Sequence, residues 1–126
     1  MKQQFNLYLK DIIEAIERVQ EYVGSKDIEE FIKEKITVDA VLRNLEIIGE
    51  AATQLQQEIK DKYSDIPWRE IQDFRIVVAH HYWKVNQVRI WDIIEHKLKP
   101  LKEQVMQILE KETPDGDFIH LSDNPL

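Results

Sequence analysis

Apolar residues recur every three or four positions through most of this chain, the spacing of helices that bury one face. Phe5, Leu9, Ile12, Ile13, Ile16, Val19 and Val23 form the first stripe, and Gly24 and Ser25 end it. Asp27-Ile28-Glu29-Glu30 has the form of a capping box. It predicts a second, shorter helix with Ile28, Phe31 and Ile32 turned inward. Thr37 stands where a third helix would be capped. The third stripe runs Val38, Val41, Leu42, Leu45, Ile48, Gly49, Ala52, Leu55 and Ile59. A glycine inside a helix costs about 0.5–1 kcal/mol relative to alanine. Gly49 therefore points to close approach by another helix, within the chain or across a dimer.

Residues 60–66 read as a loop. Ile66-Pro67-Trp68-Arg69-Glu70 then predicts a helix start, with Pro67 at the first helical position, where its missing N–H is no loss. This helix is expected to run to about Trp83, with Ile71, Phe74, Val77 and Val78 toward the core. Asn86 is a candidate cap for the next helix, whose apolar members are Val88, Ile90, Trp91, Ile94 and Leu98. Pro100 must break or kink the chain there, because it lacks an N–H and clashes with the preceding turn. A last helix carries Leu101, Val105, Ile108 and Leu109. Thr113-Pro114-Asp115-Gly116-Asp117 ends regular structure, and the acidic tail to Leu126 reads as flexible. The expectation is an all-α, up-and-down helical bundle over residues 1–112, followed by a tail over 113–126.

Composition narrows the picture. A chain of 126 residues forms one domain with one core. With no cysteine, disulfides and thiolate metal sites are excluded, and a reducing cytosol is compatible. No apolar run approaches the ~18 residues of a membrane span, and Met1-Lys2-Gln3-Gln4-Phe5 lacks a signal-peptide core. A cytoplasmic protein is expected. The net charge of −7 argues against a general nucleic-acid coat. The charge is uneven, however. Residues 67–102 hold seven basic side chains (Arg69, Arg75, Lys84, Arg89, Lys97, Lys99, Lys102) and four acidic ones, an excess of +3 that leaves −10 on the rest. Any RNA site must be local.

The chemistry concentrates in Arg75-Ile76-Val77-Val78-Ala79-His80-His81-Tyr82-Trp83. On an ideal helix at about 100° per residue, Arg75, Ala79 and Tyr82 share a face, with Tyr82 about 20° from Arg75. His80 lies about 140° from Arg75 one way and His81 about 120° the other way. Helix geometry alone does not choose between the histidines. Elsewhere, Glu46 and Glu50 lie one turn apart, and Arg43 or Arg75 are candidate partners for them. The Glu-x-x-His pairs of a carboxylate-bridged metal bundle are absent, since Val77, Val78 and Ile93 stand three residues before His80, His81 and His96.

The pattern Arg-x4-His-x-Tyr at Arg75, His80 and Tyr82 resembles the HEPN superfamily, and within it the HepT toxins of HepT/MNT toxin–antitoxin pairs. Three further blocks resemble the same family: Arg43-Asn44-Leu45-Glu46-Ile47-Ile48-Gly49-Glu50-Ala51-Ala52, Ile66–Glu70, and Trp91–Ile94 with Leu98–Gln104. Together they span roughly residues 5–111. The resemblance implies a homodimeric helical bundle that cleaves RNA, a tRNA or an mRNA, without a metal or other cofactor. It assigns catalysis to Arg75 and His80, and leaves His81, Glu50 and Asn44 as supporting candidates. It also implies a cognate MNT nucleotidyltransferase antitoxin that transfers AMP to Tyr82. One position departs from the family pattern: many members carry a polar residue, often Asn, after the motif arginine, and here it is Ile76. Ile76 and His80 are four apart and therefore helix neighbours, so a polar helper beside that histidine is missing.

The residue types suit this chemistry. Metal-free RNA cleavage must take a proton from the ribose 2′-hydroxyl, give one to the leaving 5′-oxygen and stabilise charge on phosphorus. Histidine moves protons near neutral pH, and arginine presents a charged fork to two phosphate oxygens. One motif offers one clear proton carrier; two motifs facing each other across a dimer offer two. The alternative is a non-catalytic helical module that only binds a nucleotidyltransferase.

Overall fold

The computed structural model describes residues 2–79 and 83–112, all helices and short connections. Helix α1 (Lys2–Val23) ends at Gly24, whose φ of 56° is the left-handed conformation that glycine adopts at low cost. Asp27 opens α2 (Ile28–Lys33) with both halves of the capping box: its carboxylate accepts from the Glu30 N–H at 2.8 Å, and Glu30 accepts from the Asp27 N–H at 3.1 Å. Helix α3 (Lys35–Gln54) follows after one residue.

Several expected boundaries shift. Thr37 does not cap α3. It lies inside the first turn and donates to Glu34 Oε1 at 3.2 Å, so α2 passes directly into α3 without room for a capped start. The third stripe is not one helix. Leu55 and Gln56 are extended, with ψ of 141° and 145°, and a separate helix α4 (Gln57–Lys62) takes in the first three residues of the expected loop. Leu55 in the break and Ile59 in α4 both remain buried.

The helix expected from Pro67 to Trp83 is divided. Pro67 caps α5 (Trp68–Gln72) rather than starting it, and its carbonyl accepts from the Ile71 N–H at 3.1 Å. A turn at Asp73 separates α5 from α6 (Phe74–Ala79). Ile71, Phe74 and Val77 are buried as expected, while Val78 is partly covered. Asn86 caps nothing, because α7 (Trp83–Asp92) runs through it, and Val88 is 75% exposed rather than in the core.

Pro100 acts upstream of itself. The chain stays helical through Ile93–Lys97 into α8 (Leu98–Glu112), but 93–97 widens to a π turn in which the Leu98 N–H reaches the Ile93 carbonyl. Proline cannot donate to residue i−4, here His96, and its ring would strike that carbonyl. The wider turn is a recognised way for a helix to absorb such a local misfit.

The core is built on the long helices. Helix α1 packs along α3, with its N-terminal half beside the C-terminal half of α3, so the two run antiparallel. Helix α8 covers the other side of α1, while α5 and α6 lie on α3. Leu9, Ile12, Ile16, Val19, Val41, Leu45, Ile48, Leu98, Val105 and Leu109 are all fully buried.

A polar latch ties the end of α8 to the end of α4. Glu112 accepts from the Tyr63 hydroxyl and from Lys62 Nζ at 2.7 Å, and the Tyr63 carbonyl accepts from the buried Trp68 indole at 3.1 Å. Burial, then the hydrogen bond to Glu112 and its charge, push the Tyr63 phenol up to about 12 from an ordinary value of 10.0. The folded chain therefore holds this proton more tightly than the unfolded chain. Its contribution to stability is complete below pH 10 and fades as pH rises toward 12. Thermal unfolding followed between pH 9 and 12 should show a steep alkaline loss in the wild type. Tyr63→Phe should start less stable by about 1 kcal/mol, the worth of one hydrogen bond, and lose this part of the slope.

Candidate functional site

Helix α6 is short, and its burial pattern sets the direction of Arg75. Phe74 and Val77 point into the core at 2% and 6% exposure, which turns Arg75 and Ile76 outward. Ile76 is 48% exposed. Among the described residues Arg75 forms no ion pair or side-chain hydrogen bond. Its guanidinium is left with donors to offer.

Arg75 lines a cleft of about 370 Å³ between α1, α3 and α6, shared with Tyr8, Asp11, Ile47, Glu50, Thr53 and Gln54. The sequence pattern had no means of finding Tyr8, Asp11, Thr53 or Gln54, which are scattered over two helices. Burial raises the Asp11 carboxyl above its usual range, and Glu14 one turn on adds to this, while Arg18 opposes it.

The other sequence candidates fall in different places. Glu50 is exposed and lines the same cleft as Arg75. Glu46 pairs instead with Arg43, at 2.9 Å. Asn44 is 6% exposed; its amide donates to the Ala40 carbonyl at 2.8 Å, and its Oδ1 has no hydrogen-bond partner among the described residues. His80, His81 and Tyr82 lie outside the described residues.

The approach of α6 to α3 centres on Gly49. Gln72 and Arg75 pass directly over it, and Gln72 Nε2 donates to the Ala52 carbonyl at 3.5 Å. This contact is within the chain, so the close approach expected of Gly49 is made by the helix carrying Arg75.

Pairing narrows the local basic excess, since Asp73, Asp92 and Glu95 of the same stretch also have no ion pair among the described residues. Lys97 is held by Glu70 at 3.5 Å and Lys102 by Glu17 at 3.0 Å. Arg69, Arg75, Arg89 and Lys99 have no ion pair among the described residues. No group of three His, Asp or Glu side chains is placed to hold a metal ion among the described residues. No described helix is long and apolar enough to cross a membrane.

Known proteins are similar to this sequence. A protein of Methanocaldococcus jannaschii, named a gamma-glutamylcyclotransferase and candidate RNase, is 35% identical over 111 residues, covering 88% of this chain and 50% of that protein. A candidate RNase of Caldanaerobacter subterraneus subsp. tengcongensis is 39% identical, covering 83% of this chain and 94% of that one. A protein of Thermococcus cleftensis named "Probable ribonuclease HepT" is 37% identical, covering 81% and 93%. The chain thus spans half of the first relative and nearly all of the other two. No solved structure matches it. The family described as "Ribonuclease HepT-like" matches residues 12–108, from the middle of α1 to the last core residues of α8. The chain, with its helical bundle and its outward-facing Arg75, belongs to the ribonuclease HepT-like family.

Proposed function

We propose that this chain is a metal-independent endoribonuclease in which Arg75 holds the scissile phosphate and His80 transfers protons. The observation that carries this reading is Arg75 itself: a guanidinium turned outward on a cleft wall, unpaired among the described residues, in a chain of a ribonuclease family. Arg69 and Arg89 are unpaired among the described residues too, so what sets Arg75 apart is its place on the cleft wall in the Arg-x4-His motif. There it keeps its planar fork for an outside group with two acceptor oxygens, which a phosphodiester supplies.

In the proposed reaction one histidine takes the 2′-hydroxyl proton as the oxygen attacks phosphorus. The P–O5′ bond breaks, and the leaving 5′-oxygen receives a proton. Two products result, one with a 2′,3′-cyclic phosphate and one with a 5′-hydroxyl. Arg75 neutralises charge that grows on the phosphorus oxygens. Each chain supplies one motif, so two chains with their motifs facing each other provide both proton carriers. The exposed Ile76 next to Arg75, and Val88 on α7, give such a homodimer apolar surface to cover.

The proposal extends to control. The chain acts as a toxin in a toxin–antitoxin pair, with an MNT-type nucleotidyltransferase that attaches AMP to Tyr82. The proton chemistry is tested by incubating the protein with RNA in EDTA. Cleavage should persist and leave cyclic phosphate ends; strict dependence on a divalent cation would contradict it. The assembly is tested by mass in solution, expected near twice the 15.1 kDa chain. An active monomer at micromolar concentration would rule the shared site out.

A further inference from the structure

A methyl group at position 49 has no room. An ideal Cβ built on Gly49 would lie 2.9 Å from the Arg75 backbone nitrogen, 3.0 Å from the Gln72 carbonyl oxygen and 3.2 Å from Arg75 Cβ. The first two are backbone atoms, which cannot rotate aside as a side chain can. Relief would require the start of α6 to move. Nor is Gly49 needed for its backbone conformation, since it sits within regular helix α3 where alanine is intrinsically favoured.

The residues around this crossing are otherwise held firmly. Phe74 and Val77 anchor α6 in the core on either side of Arg75, and Gln72 reaches the Ala52 carbonyl. The missing side chain at position 49 therefore determines how close the Arg75 backbone stands to α3, and so where its guanidinium enters the cleft lined by Glu50. We propose that Gly49 is a positioning residue for RNA cleavage, acting through Arg75. This rests on the reading of Arg75 as the phosphate-holding group. Displacement of a catalytic contact by about 1 Å can cost on the order of a hundredfold in rate, so a methyl group far smaller than the substrate is enough.

The test is a double-mutant cycle in the full chain with Gly49→Ala, Arg75→Ala and the two combined, read by RNA cleavage. Gly49→Ala should keep its helical content and lose about ten- to a hundredfold in kcat/KM. In the Arg75→Ala background the same change should cost nothing further, because the contact it misplaces is already gone. Binding of an uncleavable 2′-O-methyl RNA gives a second readout. The slope of log affinity against log salt should fall by about 0.7 in either single variant, the loss of one phosphate contact to a single strand, and by no more in the double variant.

Losses that add in the double variant would mean general damage to the bundle and would overturn the proposal. So would a Gly49→Ala chain with wild-type cleavage, or one that does not fold. If Arg75→Ala is impaired and Gly49→Ala is not, only the positioning role fails. If Arg75→Ala cleaves normally, the reading of Arg75 fails with it.

Discussion

His80→Ala is expected to leave a folded protein that no longer cleaves RNA. General acid–base catalysis by a placed side chain contributes roughly 10²- to 10⁴-fold, and a dimer that shares its site would lose both copies at once. The change removes a proton carrier and no residue of the described core. Arg75→Lys keeps the charge but replaces a two-point fork by a single ammonium. Hydrogen bonds to charged groups are worth about 1.5–3 kcal/mol, so a loss of roughly 10- to 100-fold is expected from this variant. His81→Ala should be mild. Cleavage rates on one RNA, with circular dichroism to confirm folding, compare all three. A dead His81→Ala beside an active His80→Ala would reverse the assignment of the proton carrier.

Tyr82→Phe should separate activity from its control. The variant keeps the ring and loses the oxygen proposed to accept the nucleotide. With the nucleotidyltransferase and ATP, the wild-type chain should gain one or more AMP masses and lose RNA cleavage; the variant should gain none and stay active. The physical basis is competition. A phosphate attached to Tyr82, which an ideal helix puts on the face of Arg75, can take the same charge-assisted hydrogen bonds that RNA would use, and its negative charge repels the substrate. Inhibition should therefore leave the mass of the assembly unchanged. Equal modification of the variant would place the acceptor elsewhere. Silencing of the wild type without any mass change would mean that the antitoxin acts by binding.

Much of the architecture was legible because it depends on local rules. The stripes of α1 from Leu9 to Val23 and of α8 lie in the core where their periodicity put them, and the Asp27–Glu30 box and Gly24 act at their own positions. These features need only the pitch of a helix and the chemistry of its ends. The breaks that were not legible carry no such marks. Nothing in Leu55-Gln56 resembles a helix stop, yet both residues are extended between two helices that keep Leu55 and Ile59 buried. The turn at Asp73 likewise has neither glycine nor proline. Pro100 was legible as a disturbance, but the chain absorbs it as a π turn at Ile93–Lys97 and continues. Such choices are made by what each side chain packs against, and packing partners are distant in sequence.

The same division runs through the candidate site. By itself the sequence determined the residue types, the Arg75–Tyr82 motif, its local basic surroundings and the need for something to approach Gly49. Those are matters of composition, spacing and the absence of a side chain. Only the tertiary structure decided that the approaching group is the Arg75 backbone, that Glu50 shares a cleft with Arg75 while Glu46 pairs with Arg43, and that Tyr8 and Asp11 complete that cleft. The reason is geometric: helices α1, α3 and α6 meet there from three separate parts of the chain, and the direction of each side chain at that meeting is set by the core residues beside it.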